Sequence, residues 1–62
     1  MGNKIKYYRM KKGYKLSDVA QMVGISEGYL CHLERGTRDN PSYKIMQKIS
    51  LVLGEDISKI FS

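Results

Sequence analysis

One cysteine and one histidine among 62 residues leave little from which to build a chemical site. With Cys31 alone, an intramolecular disulfide is excluded and a reducing compartment is the natural setting. His32 is its neighbour, so on a helix the two side chains point about 100° apart. That arrangement supplies no metal-ligand cluster and no nucleophile–base pair, and no two carboxylates stand in an evident catalytic relation. No enzymatic activity, cofactor, metal or small-molecule ligand is therefore expected. The chain also lacks an apolar run of membrane-spanning length, and its start, Met1, Gly2, Asn3, Lys4, lacks the apolar core of a signal peptide. Gly2 stands where N-myristoylation would act, but Lys6 occupies the place that motif gives to Ser or Thr. A cytoplasmic location follows as the expectation. There is no linker, repeat or low-complexity stretch either, so residues 1–62 read as one domain. It lies near the lower size limit for a chain that folds without staples.

Acids are missing from the first part of the chain. Lys4, Lys6, Arg9, Lys11, Lys12 and Lys15 all precede the first carboxylate, Asp18, and the formal net charge is +5. Such an uncompensated cluster suits a polyanion. It suits equally well a solvated face that keeps the protein soluble, and charge alone does not decide between them.

What is present is helical periodicity punctuated by glycine. No segment keeps a period of two, and β-branched residues are scattered. A first helix is predicted at about 3–12, with Asn3 as N-cap, Ile5, Tyr8 and Arg9 facing inward, and Gly13 at its end. Leu16, Val19, Ala20 and Val23 fall at i, i+3, i+4 and i+7 and place a second helix at about 16–23, stopped by Gly24. Ser26 caps a third at about 27–35, with Leu30 and Leu33 inside and Gly36 at its end. Thr37, Arg38, Asp39, Asn40 and Pro41 read as a loop. Ser42 caps a fourth helix at about 42–53, with Ile45, Met46, Ile49, Val52 and Leu53 on its apolar side and Gly54 stopping it. Asp56 caps a last short helix at about 56–61 carrying Ile57, Ile60 and Phe61. The expected fold class is all-α, a compact five-helix domain.

The second and third helices are each too short to stand alone and are joined by a tight turn. Ala20 is small where their axes approach, Gly24 permits positive φ in the turn, and Ile25 plugs the corner. Leu30 and Leu33 tie the outer helix to the core. The chain here resembles the Xre/Cro–phage-repressor (lambda-repressor-like) helix-turn-helix family. The matching residues are Arg9, Gly13, Asp18, Val19, Ala20, Val23, Gly24, Ile25, Ser26, Leu30, Leu33, Glu34, Arg35 and Gly36. Pro41 and Ser42, Leu53 and Gly54, and Ile57 with Ile60 extend the match to nearly the whole chain.

The resemblance implies sequence-specific binding of double-stranded DNA by a transcriptional regulator, commonly a repressor, with the helix 27–35 in the major groove. It pairs Glu34 with Arg9 and so removes Arg9 from the cations available to DNA. It gives base reading to Glu27, Gly28, Tyr29 and His32, although Glu27 and Gly28 depart from the family's usual glutamine, serine, threonine or arginine. Glu27 either accepts from cytosine N4 or stabilises its own helix N-terminus. Gly28 reads nothing but lets the backbone come close, and His32 donates to guanine or phosphate. Tyr29 offers a hydroxyl and a ring to DNA or else packs against Ile25 and Leu33. Phosphate contacts fall to Lys15, Arg35, Thr37, Arg38, Asn40, Tyr43 and Lys44. At Lys15 the family often has a capping Ser or Thr, and Leu16 replaces a frequent glutamine.

Two matters stay open at this level. Ile57, Ile60 and Phe61 make either a self-complementary patch for a homodimer or the closure of the core. A helix-turn-helix fold can also serve as a protein-interaction module, such as an antitoxin, an adaptor or a phage inhibitor, with DNA contact reduced. The acid and the glycine on the reading face are what that second role would leave.

Overall fold

The computed structural model describes residues 3–36 and 41–61, and these form five helices with no strand among them. They are α1 (Ile5–Lys11), α2 (Leu16–Val23), α3 (Glu27–Glu34), α4 (Tyr43–Leu53) and α5 (Ile57–Ile60). The order matches the expected one, but four of the five are shorter at their ends. Lys12 and Arg35 are C-caps, and Ser42 and Asp56 are N-caps, so each lies half outside the helix it borders. The N-cap of α1 is Lys4 and not the expected Asn3, which stands one residue earlier and still accepts the Ile5 amide through its side chain.

Short side chains write most of these boundaries. Ser26 Oγ accepts the Tyr29 amide (3.1 Å), and Ser42 Oγ accepts the Ile45 amide (3.2 Å), each satisfying an orphan donor of the first turn. Asp56 holds the corresponding position before α5, yet its side chain makes no capping bond. At α2 the cap is a lysine, which has no acceptor to offer. The remaining half of a capping box is made by Asp18, whose carboxylate accepts the Lys15 amide at 2.8 Å. Gly24 closes α2 at φ +87, where its own amide and that of Ile25 both donate to the Ala20 carbonyl (2.8 and 3.0 Å). A Cβ there would meet no atom within 4 Å, so glycine is required by the backbone angle and not by crowding.

All five helices feed one core of Ile5, Val19, Ala20, Val23, Leu30, Leu33, Ile49, Leu53 and Ile60. Tyr8, Leu16, Ile25, Ile45, Val52 and Phe61 pack around it half-buried. Ile60 is fully buried and Phe61 packs on the core. The apolar end of the chain therefore closes the fold, and Ile60 is not part of any surface patch. α2 lies against both α3 and α4, and α1 touches α3 and α4 as well. α3 is thus backed on its inner side and open on its outer one.

Candidate nucleic-acid interface

The outer helix of the pair, α3, is built from one buried stripe and one free face. Leu30 and Leu33 are 0% and 2% exposed, and they fix which way the helix is rolled. The same roll turns Glu27 and Gly28 out to solvent at the start of the helix, and Arg35 at its end. His32 and Cys31 are half-buried. Tyr29, also half-buried, packs against the core, so a good part of its ring is spent on the fold. At Gly28 the backbone is helical and an added Cβ would touch nothing within 4 Å, so the helix surface at that point is bare main chain.

Behind this face stands the ion pair. Arg9 Nε donates to Glu34 Oε2 at 2.6 Å and Nη2 donates to Oε1 at 3.2 Å, a two-point geometry that fixes both planar groups. Nη1 donates to the Tyr14 carbonyl at 2.9 Å, so the guanidinium also holds the loop between α1 and α2. The two side chains are 12% and 8% exposed. The hydrogen bond to Glu34, working against burial, holds Arg9 further above its ordinary value, and it stays charged at any working pH. Arg9 is accordingly a structural cation.

The expected phosphate contacts are distributed over element ends. Lys15 precedes α2 with an extended backbone, Arg35 follows α3, and Tyr43 and Lys44 open α4; all four are exposed. Lys44 also borders a shallow concavity with Gln47, Lys48, Leu51 and Ile57, where Leu51 is 82% exposed. Thr37, Arg38 and Asn40 lie outside the described residues. Among the described residues no group of His, Cys, Asp and Glu could hold a metal ion, and no helix is long and apolar enough to cross a membrane. One polar residue that the sequence marked only as a helix cap has a larger part. Asn3 bonds across 30 residues to the end of α3. A contact of that span leaves no periodicity or spacing by which it could be found.

Two short helices crossed through a glycine turn, with the second open on its outer side, define a helix-turn-helix domain. The chain belongs to the helix-turn-helix family, whose model matches residues 5–60. It is 37% identical over 62 residues to the HTH-type transcriptional regulator SinR of Bacillus licheniformis, covering all of this chain and 56% of that protein. A solved complex of the SinR and SinI proteins superposes with a TM-score of 0.86 at 37% identity, over 95% of this chain and 57% of that one. The crystal structure of the biofilm master regulator SinR in complex with DNA gives a TM-score of 0.85 at 37% identity, over 95% and 94% of the two chains. The chain spans a little over half the length of the SinR protein it matches.

Proposed function

We propose that the chain is a sequence-specific double-stranded DNA-binding transcriptional regulator, acting as a repressor, which seats α3 in the major groove. The observation that carries this reading is the division of labour on α3. Its inner side is wholly committed to Leu30, Leu33 and the Glu34–Arg9 pair, while its outer side presents Glu27, bare backbone at Gly28, and Arg35. The likeness to SinR, solved with DNA, supports it.

In this account His32 donates to a guanine edge or a phosphate, Glu27 accepts from cytosine N4, and Gly28 lets the helix sit deep. Tyr29 contributes only its outward edge. Lys15, Arg35, Tyr43 and Lys44 clamp the flanking phosphates, joined by Thr37, Arg38 and Asn40 from the segment between α3 and α4. These contacts fix register and supply most of the affinity without reading sequence. Repression follows from occupying a promoter that polymerase must reach, in the cytoplasm where the DNA is. The chemistry is binding alone, with no catalytic step.

Pairing of two copies would set two recognition helices about 10 bp apart on a near-palindrome. With Ile60 inside the core, the apolar side chains left for such a contact near α5 are Ile57 and Leu51. The likeness to SinR, which has been solved with the SinI protein, supports the second reading, a protein-interaction module.

Titration of a fluorescent mixed-sequence duplex at low salt separates the two. A DNA-binding protein with three or four phosphate cations engaged gives a log K against log salt slope near −3. A module that binds only protein gives no titration at all.

A further inference from the structure

Asn3 is joined to two helices at once. Its Oδ1 accepts the Ile5 amide at 3.0 Å, which starts α1, and its Nδ2 donates to the Leu33 carbonyl at 2.7 Å, near the end of α3. One partner is a donor and the other an acceptor, and the carboxamide, with one atom of each kind on a planar group, satisfies both. The segment that carries it is held in turn, because the Lys4 amide donates to the Ile60 carbonyl at 2.7 Å.

α3 therefore receives two attachments from the α1 side, and they differ in kind. The Arg9–Glu34 pair grips a side chain, whose torsions let the helix turn about its own axis while the ions stay in contact. The Asn3 bond grips main chain. At its other end α3 is joined to α2 through the Gly24 turn. Leu30 and Leu33 in the core decide which side of the helix faces inward. Within that constraint a turn at one end and a side-chain tether at the other still leave a small roll; a second bond to the backbone removes that residual freedom.

We propose that Asn3 is a positioning residue for the recognition helix, trimming the roll that Leu30 and Leu33 set for α3 and hence the register of Glu27, Gly28 and His32 against base edges. The effect on sequence preference rests on the DNA-binding function proposed above; the effect on helix orientation does not. Phosphate contacts from flexible lysines and arginines tolerate a small roll, whereas a hydrogen bond to a base edge does not. Loss of the pin should thus lower specificity and leave non-specific binding in place.

Asn3→Asp and Asn3→Ala both remove the donor to Leu33, and Asp alone keeps an acceptor for Ile5, which separates pinning from capping. In the DNA-free, isotope-labelled protein, residual dipolar couplings of the α3 amides should depart from the wild-type orientation in both variants, with those of α4 unchanged. The affinity ratio between a selected duplex and a mixed-sequence duplex should fall about tenfold, the discrimination carried by one good base contact, with the salt slope unaltered. A residue that merely stabilised the fold would move the melting temperature and none of these. Couplings that fit the wild-type orientation in both variants would overturn the pin, whatever the DNA measurements show. Reoriented couplings with an unchanged affinity ratio would overturn its role in specificity. A wild-type protein with no duplex selectivity would instead sink the DNA-binding function, and the couplings would still decide the pin.

Discussion

Glu34 is the residue on which most of the outer helix depends. With both members of its pair about nine-tenths buried, removing the carboxylate leaves a guanidinium that cannot deprotonate, without its charged partner and with little access to water. Glu34→Ala should cost about 3–5 kcal/mol. A domain of this size holds about 3–9 kcal/mol in all, at the usual 0.05–0.15 per residue. The variant should accordingly melt far below the wild type, and an unchanged thermal transition would contradict the pairing. Gly28 runs the other way. It is the second residue of α3 with open space where a Cβ would go, so Gly28→Ala should stabilise by up to about 1 kcal/mol, the helix-interior value, read as a raised melting temperature. If the bare backbone is what approaches DNA, the same variant should bind operator more weakly. Stability and affinity then move in opposite directions at one position.

At the scale of elements, α2 shows the same opposition. Its N-cap is a lysine with cap-ready extended backbone and no side-chain capping bond. Lys15→Ser should supply the missing acceptor and stabilise by about 1 kcal/mol. It should also remove close to one unit from the slope of log K against log salt if Lys15 meets a phosphate. Helix order was readable beforehand because Ser26, Ser42, Gly24 and Gly54 act locally, each within a turn of the boundary it sets. The Arg9–Glu34 pair came through resemblance, not from spacing. The end of the chain was ambiguous for a physical reason. Ile57 and Ile60 are both apolar and one turn apart, so nothing in the pattern tells the side chain that closes a core from the one left half outside. Asn3 was legible as a residue that starts α1, though one position before the N-cap itself, and not as a pin, because the first is a bond to a near neighbour and pinning is a bond across the fold.

For the whole molecule, the five helices are arranged so that one core supports one open helix, and the basic excess surrounds rather than enters that core. Nothing charged or polar is fully buried among the described residues, and every buried polar side-chain atom there has a partner. If two copies pair through Leu51 and Ile57, Leu51→Lys should abolish the dimer in sedimentation while leaving the melt of the domain nearly unchanged, since Leu51 is 82% exposed. The central claim, that α3 reads sequence, is tested most directly by selecting binders from a random duplex library at physiological salt and sequencing them. The account predicts enrichment of a defined site, a near-palindrome with half-sites about 10 bp apart for a dimer or a single half-site for a monomer. A library that emerges without any enriched site would contradict it.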